Sequence, residues 1–245
     1  VNPFDGARSV LFVHAHPDDE TLSSGGLILW LADRGVRVEL LTATRGERGE
    51  VVPALRADVG DDAAALTRIR EGEWRRAVGS LGIPDAFFLG EPPARHAGAA
   101  SRRYSDSGMR WVTPTLAGAV DDAPAEALTR APESEVKADV LALVEHLRPD
   151  LVVSYDDLGG YGHPDHRSIR SAALSASRSA GVPFAELVPA DADRAFVVDA
   201  SDRLPAITDA LRAHATQLTV DGSHVVHSGG QREPIRTVFG VRLVD

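Results

Sequence analysis

Ser9-Val10-Leu11-Phe12-Val13-His14-Ala15-His16-Pro17-Asp18-Asp19-Glu20 is the stretch that decides the fold class. Its first five residues form a short continuous apolar run, the pattern of a strand buried on both faces. Residues 21–34 follow with helix-like apolar spacing through Leu22, Leu27, Ile28 and Leu31, and Gly35 stands where a helix C-cap belongs. Residues 36–44 read as the next strand, 61–81 as a long helix and 86–89 as a third strand. Alternation of strand and helix predicts βαβ units. The expected architecture is therefore Rossmann-like α/β, a mainly parallel sheet with helices on both faces.

Residues 91–132 interrupt this rhythm. They are rich in Pro, Gly, Ala and Ser, and a long irregular segment in a compact domain is usually a functional loop. The pattern resumes with a helix at 133–147, a strand at 151–155 and a helix at 164–180. One more strand and helix are expected at 195–198 and 201–213, and candidate strands at 224–226 and 236–243. No internal repeat or domain boundary stands out, so residues 1–245 read as a single domain.

Composition narrows the chemistry. At 245 residues and 43% hydrophobic content the chain can bury a sizeable core. It has no cysteine, which removes thiolate zinc sites, disulfides and cysteine nucleophiles together. Any metal site must use His, Asp or Glu. A cysteine-free chain also fits a reducing cytoplasm, the expected location. A net charge of −10 argues against nucleic acid or an anionic membrane as partner. No apolar run approaches the ~20 residues of a membrane span, and no secretory leader is visible.

In open parallel sheets ligands bind at the carboxyl ends of the strands. His16, Asp18 and Asp19 lie just past the first strand, and His163 and His166 just past the strand at 151–155, so both groups fall at one edge. Pro17 biases His16 toward extended backbone, and Pro164 suits the first position of a helix. Two histidines and one carboxylate around a divalent ion would leave positions open for water. A zinc ion in such a site lowers the pKa of its water to about 7. A second carboxylate could take the proton and a free histidine could protonate the leaving group. That is metal-assisted hydrolysis, most naturally of an amide or ester.

At residues 15–20 (AHPDDE) and 163–166 (HPDH) the chain resembles the LmbE/PIG-L family of metal-dependent N-deacetylases, especially its mycothiol-pathway branch acting on N-acetylglucosaminyl-inositol. The likeness extends to LFVHAHPDDETLSSGG from Leu11, GERGEV from Gly46, SDSGM from Ser105, VVSYDDLGGYGHPDH from Val152 and ALRAHATQ from Ala210. The resemblance implies His16, Asp19 and His166 as metal ligands, with Zn²⁺ as cofactor and Fe²⁺ as the alternative. It implies Asp18 as general base and His163 as general acid. Tyr161 would polarise the amide carbonyl, and Asp165 would orient and tune His163. Arg70 and Asp106 match residues that hold the substrate, and Ser23 favours the deacetylase branch. The implied partner is a small amino-sugar. The segment between Gly181 and Arg194 and the C-terminal tail are shorter than in the mycothiol enzyme, which leaves the particular glycoside open.

Plainer readings stand beside these. Arg70 lies on a charged helix and reads equally as a solvated surface residue. His14, His96, His146, His214, His224 and His227 read as structural or exposed, Glu20 as a loop-supporting charge at a helix start, and Trp30, Trp74 and Trp111 as packing. Gly159-Gly160-Tyr161-Gly162 lacks the Lys-Ser/Thr of a phosphate loop. Competing functions are an amidase of mycothiol S-conjugates, a deacetylase of another N-acetylglucosaminyl metabolite or antibiotic, and a catalytically silent metal-containing sugar-binding module. A nucleotide-binding dehydrogenase is disfavoured, since HAHPDDE replaces GxGxxG after the first strand.

Overall fold

A computed structural model describes residues 1–60 and 62–244. In chain order the elements are β1 (Ser9–His14), α1 (Asp19–Ala32), β2 (Arg37–Thr42), α2 (Arg56–Val59), α3 (Ala63–Ser80), β3 (Asp85–Phe88), β4 (Arg110–Thr113) and β5 (Leu116–Gly118). There follow α4 (Glu133–Leu147), β6 (Leu151–Tyr155), α5 (Pro164–Ala180), β7 (Phe184–Val188), β8 (Phe196–Asp199), α6 (Leu204–Leu211), β9 (Leu218–Asp221), β10 (His224–His227), β11 (Arg232–Pro234) and β12 (Val238–Val244).

Seven strands form the main sheet in the order β3-β2-β1-β6-β7-β12-β8. The first five are parallel, and β12 runs antiparallel between β7 and β8. Strand β1 shows why its sequence is apolar throughout. Val10 and Phe12 enter one core with Leu27, Ile28 and Leu31 of α1 and Trp74 of α3. Leu11 and Val13 enter a second core on the opposite face, with Val140 and Leu143 of α4 and Ile169 and Ala173 of α5. Helices thus cover both faces, as the unbroken apolar run requires.

Helix α1 contains the poor helix formers Ser23-Ser24-Gly25-Gly26, and packing explains Gly26. A Cβ on Gly26 would lie 2.5 Å from the Phe239 ring and 2.9 Å from Ile207 Cδ1, so only glycine lets α1 approach β12 and α6 this closely. The three-stranded sheet β11-β10-β9 packs on α6 through Ile207, Leu211, Leu218, Val225 and Ile235.

Elements at 133–147, 151–155 and 164–180 coincide with the sequence reading. The helix expected at 61–81 spans Ala63–Ser80, capped by the Asp62 carboxylate accepting from Ala64 N and Ala65 N; Asp61 itself lies outside the described residues. Strand β7 is not among the strands expected from the sequence. Glu186 is tolerated in the sheet because Arg170 (3.2 Å) and Arg242 (2.6 Å) pair with it. The irregular segment 91–132 carries the β4–β5 ribbon. Among the described residues no helix is long and apolar enough to cross a membrane.

Candidate active site

The strand order reverses between β1 and β6, which pair in parallel from Val10↔Leu151 to Phe12↔Val153. Such a switch point opens a crevice beyond the strands' carboxyl ends. The turn after β1 carries His16, and α1 begins at Asp19. Beyond β6, α5 begins with Pro164, and the His163 side chain caps it by accepting from Asp165 N through Nδ1 at 3.2 Å. His166 sits one turn in.

These two helix starts converge. His16 Nδ1, His166 Nε2 and Asp19 Oδ2 form a triangle with all three sides 3.3 Å. The remaining imidazole nitrogens are occupied: His166 Nδ1 donates to Gly159 O (3.2 Å) and His16 Nε2 to Asp165 Oδ2 (3.2 Å). Each ring therefore turns its other nitrogen into the triangle, and with no proton there it is in the tautomer a metal ligand needs. The donors fit a divalent ion. A tetrahedral ion holding donors at about 2.0–2.1 Å sets them about 3.3–3.4 Å apart. Two other groupings also lie close, His16 with His163 and His166, and His16 with Asp106 and Asp165. The latter is a weaker candidate, because it would use the His16 nitrogen already bonded to Asp165.

Asp19 is firmly held. Its Oδ2 accepts from Tyr155 OH (2.7 Å) and His16 N (2.9 Å), and the Tyr155 oxygen in turn accepts from Ala15 N (2.8 Å). Although burial opposes it, the imidazoles of His166 and His16 keep the Asp19 carboxyl well below the usual carboxylate range. Burial would likewise lower the His16 pKa, but Asp106, Asp165 and Asp19 outweigh it and raise it well above the ordinary value. This field of carboxylates calls for positive charge.

Asp18 adopts φ 113°, ψ −31°, a conformation costly for a non-glycine residue. Its N–H donates to Glu20 Oε2 (3.1 Å), and its carbonyl accepts from Thr21 N and Leu22 N. Burial and the neighbouring Asp19 push the Asp18 carboxyl up to about 7. Glu20 is itself fully buried, bonded through Oε1 to His214 Nε2 at 2.8 Å. Sequence reading gave His214 no role in the site. Its only signal was the ALRAHATQ segment.

Asp165 acts on His163 less directly than expected, its charge pulling the His163 pKa upward against burial without a side-chain bond. Its backbone N–H, not its carboxylate, meets His163. The carboxylate accepts from His16 Nε2, Ser107 N (2.9 Å) and Ser107 Oγ (2.5 Å), so it orients His16. The His163 pKa is lowered by burial and by the nearby His16 and His166. The Tyr161 ring stands edge-on to His166 and His163, at 5.3 and 6.0 Å between centroids, with 39% of the residue exposed.

Arg70 is no surface residue: it is 1% exposed. Its guanidinium donates to the carbonyls of Gly46, Gly49 (2.9 Å) and Glu50 (3.0 Å) and so holds that loop. Glu47 of the same loop accepts from Asp106 N (3.0 Å), while Asp106 Oδ1 lies 3.8 Å from His16 Nε2. GERGEV and SDSGM are thus interlocked loops beside the triangle. Ser23, half-buried one turn beyond Asp19, makes no hydrogen bond to the cluster among the described residues. His14 is structural: Nε2 bonds Ser24 Oγ at 2.9 Å, and burial lowers its pKa to about 4.

Comparison with known proteins fits this geometry. A family profile described as "PIG-L: GlcNAc-PI de-N-acetylase" matches residues 11–177. The 1D-myo-inositol 2-acetamido-2-deoxy-alpha-D-glucopyranoside deacetylase of Kineococcus radiotolerans is 36% identical over 291 residues, 98% of this chain and 78% of that protein. Two solved structures share the fold. The N,N'-diacetylchitobiose deacetylase from Pyrococcus horikoshii superposes with TM-score 0.61 at 24% identity, over 87% of this chain and 72% of that one. A zinc-inhibited teicoplanin deacetylase gives TM-score 0.61 at 21% identity, over 97% of this chain and 99% of that one. The profile match, together with identity above one third across nearly the whole sequence, means that the chain belongs to the PIG-L family of de-N-acetylases.

Proposed function

We propose that the chain is a divalent-metal-dependent hydrolase that removes the acetyl group from a small N-acetylglucosaminide, with N-acetylglucosaminyl-inositol the first candidate. The observation that carries this reading is the 3.3 Å triangle of His16, Asp19 and His166, with Asp18 beside it on the same turn. The inositol glycoside comes first because the Kineococcus relative is named for it. That alignment spans 291 residues against a chain of 245, so the relative carries extra segments, and other N-acetylglucosaminides belong in the test.

His16 Nδ1, His166 Nε2 and Asp19 would hold the ion, a donor set that suits Zn²⁺ and, as the alternative, Fe²⁺. When bound, the metal supplies acidification of water and polarisation of a carbonyl. Asp18 takes the proton of the attacking water, its carboxylate standing next to the ligand Asp19 at the start of the same helix. His163 accepts at Nδ1 from Asp165 N, so the proton it offers is on Nε2. This narrows its acid role to hydrogen-bond donation toward the developing oxyanion, with the Tyr161 hydroxyl as a second donor. The proton held by Asp18 is then available to the leaving nitrogen. Asp165 keeps His16 in the ligand tautomer.

A binding module without turnover has no use for a carboxylate held in strained backbone beside the ligand triangle, which favours the enzyme. The test is acetate release from N-acetylglucosaminyl-inositol, N,N'-diacetylchitobiose, simple N-acetylglucosaminides and a mycothiol S-conjugate, with Zn²⁺ and with Fe²⁺. Equal release of acetate and free amine from a glucosaminide supports the reading. Cleavage of the conjugate alone would assign the amidase function instead.

A further inference from the structure

Three tryptophans meet three different fates. Trp74 is buried, its ring 4.3 Å from Phe88 and tilted by 33°, and donates to Thr42 Oγ1. Trp30 is covered by the Arg34 guanidinium at 3.7 Å and flanked by Phe4 and Phe196. Trp111, on β4, is 45% exposed, and among the described residues its indole N–H has no hydrogen-bond partner and no cation lies over its ring. Its one ring contact among the described residues is Tyr161, 5.6 Å away and tilted by 33°. An exposed tryptophan outside any core invites a ligand explanation.

The β4–β5 ribbon holds Trp111 in place without a core of its own. A two-stranded ribbon is marginal alone, and this one is tied to the site loop. Trp111 pairs across the ribbon with Ala117, whose N–H donates to Tyr161 O at 2.8 Å. Gly162, at φ 93°, permits the contact, since a Cβ there would lie 2.7 Å from Leu116 Cδ1 and 2.9 Å from Ala117 O. An aromatic wall therefore runs from His163 and His166 through Tyr161 to Trp111.

We propose that Trp111, continuing this wall, is the subsite for the ring attached to the glucosaminide: a neutral pyranose or cyclitol whose C–H face stacks on the indole. The inference rests on the deacetylase reading above, which puts the scissile amide at the histidines and sends the rest of the glycoside outward. A sugar ring suits a half-exposed tryptophan because its apolar face meets the π-cloud while its hydroxyl rim stays hydrated. An acyl chain would seek full burial instead, and an anionic aglycone would face Asp18, Asp19, Asp106 and Asp165.

Calorimetric binding to the zinc-loaded Asp18→Asn protein tests this without requiring turnover. The ligands are methyl N-acetylglucosaminide, N,N'-diacetylchitobiose, N-acetylglucosaminyl-inositol and a one-ring glucosaminide with a lengthened N-acyl chain. Added Trp111→Ala should weaken the two-ring ligands by about tenfold and change the one-ring methyl glycoside far less, while Trp111→Phe restores most of the loss. Equal losses for one- and two-ring ligands, or no loss, overturn the proposal. So does a loss confined to the lengthened acyl chain. If the protein with Asp18 intact releases no acetate but Trp111-dependent ring selectivity persists, the deacetylase reading fails and the subsite stands. If no glycoside binds, both fall.

Discussion

Tyr155→Phe removes one oxygen from beneath the site and leaves the rest of the packing in place. The ring lies flat on His166, 4.1 Å between centroids at 7°, and phenylalanine keeps that stack. The lost hydroxyl accepts from Ala15 N at 2.8 Å and donates to Asp19 Oδ2 at 2.7 Å. The Ala15 amide would be left buried without an acceptor, and Asp19 would lose a donor to its charge. A stranded buried amide costs about 1–3 kcal/mol, and a hydrogen bond to a charged group contributes a similar amount. The two losses overlap at one atom, so we expect the metal-free protein to lose about 2–4 kcal/mol. Because Asp19 is also oriented by this bond, metal affinity should fall 10–100-fold, roughly the range for outer-shell partners. Urea unfolding of chelator-treated protein and competition against a chromophoric chelator read the two effects separately. Metal-free stability within about 0.5 kcal/mol of the parent, with unchanged metal affinity, would refute the claim that Tyr155 fixes Asp19.

The ligand assignment predicts that Asp19→Ala and His166→Ala abolish stoichiometric zinc binding while His163→Ala and Asp106→Asn retain it, as elemental analysis after desalting would show; loss in His163→Ala would favour the three-histidine grouping. For Asp18, whose folded pKa is raised to about 7, the folded state holds more protons than the unfolded between about pH 4 and 7, so stability falls as pH rises through that window. Asp18→Asn, which tolerates positive φ, should therefore make the metal-free protein more stable than the parent at pH 8, with the gap closing near pH 4; a gap that does not vary with pH contradicts this. Glu20→Gln weakens the tether of the Asp18 backbone and leaves His214 without its carboxylate, so kcat should drop about tenfold at full zinc occupancy, and parental kcat would count against the tether. Arg70→Met strands the carbonyls of Gly46, Gly49 and Glu50, and limited proteolysis should cut that loop faster than in the parent.

Much of this site could be read from the chain because strand ends and helix starts carry local signals. SVLFV is apolar on both sides because both sheet faces are covered, and Pro164 after His163 marks a capped helix start. What escaped reading depends on contacts distant in sequence. Arg70 sits among charged residues on α3 and looks solvated until the loop at 46–50 folds over it. Asp165 and His16 are separated by 149 positions, and nothing local indicates which imidazole the carboxylate will meet. Tyr155 ends an ordinary strand pattern, and His214 gains meaning only from Glu20, 194 positions away. Strand β7 carries Glu186 in the sheet, where its charge is balanced by two arginines from other elements, a pairing no local pattern announces.

The most direct test of the account is acetate release from N-acetylglucosaminyl-inositol as zinc is added back stepwise to metal-stripped protein. The account predicts a rate that climbs with added zinc and levels off at one equivalent, with no such climb in Asp19→Ala. A metal-stripped protein already working at full rate, or an Asp19→Ala titration that follows the parent's, would contradict it.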